Sequence, residues 1–258
     1  MRGRPGSTRR MGFVRAFEEF IDCVSTASSP TELGEALGDM TRRLGCDYFA
    51  LSHHADPGAS PATTIRLHNY PERWVEYFDR HGLAACDPIH RASQQTAMGF
   101  AWRCVPHMIP LTASDHHILA RAADHGIGDG FTMPAHIPGE ISGSCSFATS
   151  HGHEWPVQHL YLAQLAGAVA FEGARRVWQV RPPPMRRACL TDRQRDCLIW
   201  AARGKGDWEA GVILGISEET VAQHISAACR RYGVRKRTSL IILALFDGTI
   251  SFADIARR

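Results

Sequence analysis

The spacing of capping residues and glycines between Thr191 and Gly233 constrains this chain more than any other feature. Thr191 followed three residues later by Gln194 fits a capping box, in which each side chain satisfies the other residue's free backbone N–H. Cys197, Leu198 and Ala201 follow at helical spacing, and Gly204 ends the helix. Asp207 is placed to cap a second short helix over 208–214, after which Gly215 supplies a left-handed turn at no steric cost. Ser217 caps a third, with Glu218 and Glu219 set favourably against the positive end of its dipole. Two short helices joined by a glycine turn form a helix-turn-helix. The spacing puts Val221, Ile225, Ala228 and Cys229 on the inner side of the third helix, packed on Ile213 and Leu214.

The opposite side of that helix, about 217–232, carries Glu218, Glu219, Ala222, Gln223, Ser226 and Arg230. In such motifs this face enters the major groove, which is wide enough for a helix. Gln223 suits an adenine edge, Ala222 a thymine methyl, and Ser226 is small and versatile. Thr220 and Arg230 fall nearer the phosphates, and Arg235, Lys236 and Arg237 add sequence-independent charge contacts or form a solvated loop. Residues 181–258 hold fourteen Lys and Arg against eight Asp and Glu, whereas 1–180 hold fifteen against eighteen. A basic third behind an acidic body fits a nucleic-acid module joined to something else, although an ordinary surface explains charge alone equally well. The run Arg181-Pro182-Pro183-Pro184-Met185-Arg186-Arg187 favours a stiff spacer, so a linker is expected over 179–188 and a DNA-binding domain over 189–258.

Leu190, Thr191, Arg193, Gln194, Leu198, Gly204, Leu214, Gly215, Ile216, Ser217, Thr220, Val221 and His224 together resemble the DNA-binding domain of LuxR-type regulators. One departure is Gln194, where that family usually has glutamate. Glutamine keeps the capping bond and removes a charge.

The body reads as mixed α and β. The first ten residues are expected to be a flexible tail, and 11–178 a sensor domain. Phe13, Phe17, Phe20, Ile21 and Val24 share one helical face, and Leu33, Leu37, Met40 and Leu44 a second that Gly45 stops. Strands are expected over 46–52 and 63–67, the latter bounded upstream by Pro57, Gly58 and Pro61, and helices over 71–80 and 115–125. Gly126, Gly128 and Gly130 should break the chain before strands at 131–136 and 142–149. A helix over 156–177 is apolar around most of its girth, which suggests one face on the sheet and one on a second subunit; burial within one monomer is the other reading. The expected class is α+β: an α-β-α layered sensor with an antiparallel sheet, then an all-α domain. The chain is 44% apolar, enough for a real core, without a run long enough to span a membrane. Eight scattered cysteines, no C-x-x-C pair and no secretory h-region point to reduced thiols in a cytoplasm. His53-His54, His116-His117, His151 and His153 lack partners at metal-ligand spacing, so no metal and no cofactor is expected.

Tyr70-Pro71, Trp74, Asp87-Pro88, Trp102 and Gly130 resemble the autoinducer-binding domain of the quorum-sensing LuxR branch, over about 13–177. The resemblance implies an acyl-homoserine lactone ligand, and it assigns the roles. Asp87 accepts from the ligand amide N–H, Trp74 donates to the lactone carbonyl, and Tyr70 donates to the acyl carbonyl with Ser146 as a second donor. Trp102 walls the ring, and Gly130 is a backbone requirement. Each aromatic taken singly also fits plain core. Phe78 stands where the family usually has tyrosine, and Tyr77 beside it points elsewhere on a helix. Losing that hydroxyl implies a drier tail pocket and a branched, aromatic or otherwise unusual acyl group. The implied protein is a homodimer on an inverted-repeat operator, with RNA polymerase a further candidate partner and no membrane. Leu240, Ile241, Leu243, Ala244 and Leu245 are a candidate second dimer contact. An orphan regulator with a non-lactone signal remains open. An enzyme is disfavoured, because Pro88 interrupts Cys86, Asp87 and His90, and no G-x-S-x-G, P-loop or metal site is present. The body also lacks the repeated βα pattern of a phosphorylated receiver, and the intact recognition helix argues against a module that ignores DNA.

Overall fold

The computed structural model describes residues 6–55, 64–137, 140–180 and 188–256, with side chains from Val14 onward. The chain divides into two units, Met1–Arg181 and Pro182–Arg258. The expected linker falls largely on 181–187, outside the described residues, as do residues 1–5, Phe13's side chain, Pro57, Gly58, Pro61 and Thr63.

Five strands form the centre of the first unit: β1 (Tyr48–His53), β2 (Arg66–His68), β3 (Phe100–Ala101), β4 (Ile127–Ala135) and β5 (Gly143–Ser150). Their order is β2-β1-β5-β4-β3, and every pairing is antiparallel. Successive residues of a strand face opposite sides of its sheet. One face therefore carries Phe49, Leu51, Phe131, Met133, Cys145 and Phe147, which pack in the main core. Three helices close it: α1 (Gly6–Thr26), α2 (Pro30–Arg43) and α7 (Leu160–Val177). Their buried positions include Phe20, Val24, Leu33, Leu37, Met40, Ala166, Ala170 and Phe171. Helix α7 lies so close to the sheet that a Cβ at Gly167 would stand 2.9 Å from the Met133 Cβ. Over the other face lie α3 (Glu72–Arg80), α4 (Pro88–Ser93), α5 (Val105–Met108) and α6 (Ala113–Asp124). The unit is thus an α-β-α sandwich.

Several local expectations give way. Helix α1 begins at Gly6, inside the expected tail, because no proline interrupts 6–26. Ile21 turns out of the core and is exposed. The glycines of 126–130 do not all break the chain: β4 starts at Ile127 and runs through Gly128 and Gly130 with a register shift between. Glycine here permits close approach, since a Cβ at Gly128 would meet the Ser150 carbonyl oxygen at 2.4 Å. The last helix of the unit opens with a separate 3-10 turn over Val157–His159.

The second unit is all helix: α8 (Asp192–Ala202), α9 (Asp207–Leu214), α10 (Glu218–Tyr232), α11 (Arg237–Phe246) and α12 (Phe252–Ala256). The capping box forms, with the Gln194 N–H donating to Thr191 Oγ1 at 3.3 Å and the Thr191 N–H to Gln194 Oε1 at 3.1 Å. Gly206, not Asp207, caps α9, and its N–H donates to Glu209 at 2.9 Å. Gly215 takes the left-handed turn at φ +69°. Val221, Ile225, Ala228 and Cys229 are buried, but Ile213 is 45% exposed. Leu214 and Ile216 pack on this core instead, since α9 buries only Ala210 and Gly211 fully. Leu240 and Ala244 are also core. These two drop out of the candidate dimer contact, because they face α8 and α10 within their own unit, while Leu243 of the same set stays exposed. Among the described residues no helix is long and apolar enough to cross a membrane.

Candidate functional site

A cavity of about 110 Å³ lies between the outer face of the sheet and helices α3, α4 and α6. Tyr70, Trp74, Phe78, Asp87, Trp102 and Ser146 all line it. Tyr70 enters just before Pro71, the N-cap of α3. Trp74 and Phe78, four residues apart, share one face of that helix and meet edge to face at 5.7 Å. Tyr77 sits outside the cavity, stacked on Trp74 at 6.0 Å and covered by the Arg121 guanidinium at 4.9 Å.

Asp87 is the N-cap of α4, where its Oδ1 accepts from the Ile89 N–H at 2.7 Å and Pro88 fills the first helical position. This bond anchors one carboxylate oxygen and leaves the other free to accept. Burial, and next the charge of Asp87, push the Tyr70 phenol above its ordinary range, so it keeps its proton and can donate. Among the described residues the Trp74 indole N–H has no protein acceptor. Trp102 is different. Its Nε1 donates to Thr132 Oγ1 at 2.8 Å, and Thr132 is 2.8 Å from Ser146 Oγ. Its ring lies over Gly130, where any Cβ would come within 2.6 Å. Trp102 is therefore a fixed wall, and Gly130 is what lets it approach.

Two features of this site were not read from the sequence. Thr132 links Trp102 to Ser146, and only its even spacing from Gly130 on β4 hints at this. The second is Asp115, 2% exposed, whose Thr112-x-x-Asp115 spacing was a legible capping signal. Its carboxylate accepts from the Thr112 N–H at 2.7 Å and from Arg91 Nη1 at 2.7 and 2.9 Å. Arg91 belongs to α4, and α6 supplies Ile118, Leu119 and Ala122 to the cavity wall. The pair thus clamps two walls together. Burial pushes the Asp115 pKa up, but the Thr112 and Arg91 bonds outweigh it and hold the group below its ordinary range.

Polar residues also line the cavity, among them Ser52, Arg66, His68, His90 and Ser144. Phe78 removes one hydroxyl, while the strands and α4 supply other polar groups.

On the second unit, Ser217 Oγ accepts from the Thr220 N–H at 3.1 Å and lies 2.8 Å from Thr220 Oγ1. Gln223, Ser226 and Arg230 are exposed, Ala222 and Thr220 half-buried, and all but Thr220 line one shallow groove on α10. Arg235 and Lys236 are exposed, whereas Arg237 is engaged with Asp207 of α9.

Comparison with known proteins agrees with this architecture. Residues 29–174 match the model for the autoinducer binding domain, and 188–244 that for bacterial regulatory proteins of the luxR family. The chain is 29% identical to the transcriptional activator VanR of Vibrio anguillarum, over 87% of this chain and 93% of that one. It is 28% identical to the quorum sensing-dependent regulator RpaR of Rhodopseudomonas palustris, over 90% and 93%. Its fold is similar to the crystal structure of Escherichia coli SdiA, with a TM-score of 0.56 at 22% identity, covering 92% of this chain and 98% of that one.

Asp115→Asn is expected to destabilise the first unit by about 2 kcal/mol at neutral pH by weakening the buried bond to Arg91. A depressed native pKa contributes stability above the free carboxylate value of about 3.9, and that stability is lost as pH falls through the native value. The gap between wild type and variant should be flat above about pH 5 and shrink below about pH 4. Thermal unfolding across this range checks it, and a gap independent of pH would remove the clamp.

Proposed function

Because the chain belongs to the LuxR family of bacterial regulators, with an autoinducer-binding domain ahead of the family's helix-turn-helix domain, we propose that it is a transcription regulator controlled by an acyl-homoserine lactone. The observation that carries this reading is that Tyr70, Trp74 and Asp87, a hydroxyl, an indole and a carboxylate residue, line one cavity together. Such a ligand offers two carbonyls and one amide N–H on an oily tail. A buried amide needs partners, and an ionised acceptor makes the stronger bond. Asp87 takes the amide N–H, Trp74 the lactone carbonyl and Tyr70 the acyl carbonyl, with Ser146 beside it. Trp102 backs the ring, and Trp74 and Phe78 offer flat walls to a short branched or aromatic acyl group.

A second reading is a non-lactone acyl signal. SdiA, similar to this chain in fold, has a structure in complex with octanoyl-rac-glycerol. An acyl glycerol has hydroxyls but no amide N–H, so the anchored Asp87 carboxylate favours the lactone. No catalytic step is assigned to the cavity.

The regulator acts in the cytoplasm as a homodimer on an inverted-repeat operator, with half-sites about one helical turn apart. Gln223, Ala222 and Ser226 read bases, Arg230, Arg235 and Lys236 meet phosphates, and RNA polymerase is the further partner. Dimer contact falls to the outer stripe of α7 and the turn before it. Val157, Tyr161 and Leu165, at successive intervals of four, are 50%, 85% and 53% exposed. An apolar stripe of this kind marks a protein contact, and a two-fold pairing would bury it against itself.

In calorimetry with a panel of acyl-homoserine lactones, Asp87→Asn and Trp74→Phe should each weaken binding about tenfold or more. Octanoyl glycerol should bind poorly and be indifferent to Asp87→Asn. Unchanged lactone affinity in both variants would overturn the reading. For DNA, Arg235→Ala with Lys236→Ala should weaken all sequences alike and reduce the salt slope by about 2. Gln223→Ala should instead relax preference at a single base pair, and a loss uniform across sequences would count against base reading. Tyr161→Asp with Leu165→Asp should turn the ligand-bound dimer into monomer by sedimentation, and an intact dimer would place the interface elsewhere.

A further inference from the structure

The strand register sets a second polar row on the cavity side of the sheet, one step past the row of Ala50 and Ser146. Ser52 pairs with Arg66 on one side and with Ser144 on the other, and His90 reaches the same wall from α4. Resting on the lactone reading above, we propose that this row recognises a hydroxyl carried at the far end of the acyl group, so that the signal is a hydroxylated and not a purely hydrocarbon acyl-homoserine lactone.

The donor and acceptor inventory supports a hydroxyl in particular. His90 Nδ1 lies 3.1 Å from the Ala84 carbonyl oxygen, which can only accept. That nitrogen therefore carries a proton, and Nε2 is left to face the cavity wall as the ring's second hydrogen-bonding atom. Arg66 gives both of its bonds to Asp79 from Nη2, at 2.7 and 2.8 Å, which leaves N–H groups on Nε and Nη1. Ser144 Oγ lies 2.8 Å from His54 Nε2. The His54 ring stacks on His90 at 3.9 Å, and burial above all pushes its pKa down to about 2. His54 is thus neutral, and either tautomer leaves Ser144 one unused hydrogen-bonding function. Among the described residues the Ser52 hydroxyl has no partner, and the buried His68 Nδ1 has none either.

A methyl terminus placed here would dry these groups without replacing their water, which is unfavourable. A carboxylate would face an arginine already neutralised by Asp79 and lie in the same cavity as Asp87. A hydroxyl both gives and takes, so it can meet His90 Nε2 in either role and an Arg66 or serine group together.

The test is calorimetry on the full chain with matched pairs of acyl-homoserine lactones of increasing length, one member ending in methyl and the other in hydroxymethyl. The hydroxyl member of at least one pair should bind about tenfold tighter or more. Ser144→Ala and Ser52→Ala, small changes that keep the strand geometry, should bring that ratio toward one. Trp74→Phe should weaken both members and leave the ratio intact. A methyl member that binds as well or better at every length overturns the proposal and leaves the lactone reading standing, as does a preference for a carboxylate tip. A hydroxyl preference untouched by both serine variants overturns the assigned row. If no member binds at any length, the lactone reading falls and this proposal with it.

Discussion

The period-two alternation of the central strand β5 is the constraint on which the sensor unit depends. Cys145 and Phe147 point into the helical core, while Ser144 and Ser146 face the cavity and Ala148 packs with Trp74 and Ile118 on that same side. The two sets are inseparable, because a slip of one residue would send serines into the core and Phe147 into the pocket. The neighbours hold that register: β1 pairs through six residues on one side and β4 through seven on the other. Core packing and pocket chemistry are therefore written by the same hydrogen-bond ladder.

Around that ladder, polar side chains are fixed before any ligand arrives. Asp87 is spent in part on capping α4, Trp102 is tied through Thr132 to Ser146, and Asp115 joins α4 to α6. Each bond orients a group that would otherwise choose among rotamers. Binding energy lost to ordering side chains is thereby reduced, which is the general benefit of a preorganised site.

Legibility in the sequence followed the length scale of the signal. Helices α2, α8 and α10 run three or more turns with apolar residues at helical spacing, and Gly45, Thr191 and Ser217 mark an end of each. The short pieces α4, β3 and α5 span six, two and four residues, too few for any period to show. Gly128 and Gly130 misled because a glycine that ends a strand and one that admits a neighbour read alike. Leu240 misled because an apolar helix face does not say which partner covers it. The aromatic end of the cavity was legible through Tyr70, Trp74 and Asp87, which the family resemblance singled out and which line one cavity. The polar row of Arg66, Ser52 and Ser144 was not, since it exists only once three strands are in register.

The same geometry bears on how a ligand would act. The cavity's outer wall is made of α3 at nine residues, α4 at six and parts of α6 at twelve. Helices this short do not hold themselves together in water and depend on what they pack against. Here part of that packing surface is a cavity, bounded by Trp74, Ile118 and Ile127 on its protein side. Filling it with an apolar guest would give the wall contacts that solvent does not, and a guest that binds only the folded form stabilises it by mass action. The core face, closed by α1, α2 and α7 around Phe131, Phe147 and Trp155, has no such dependence. Ligand-linked ordering should therefore be concentrated on the α3, α4 and α6 side of the sheet, with the register of β1, β5 and β4 as the rigid frame against which it occurs.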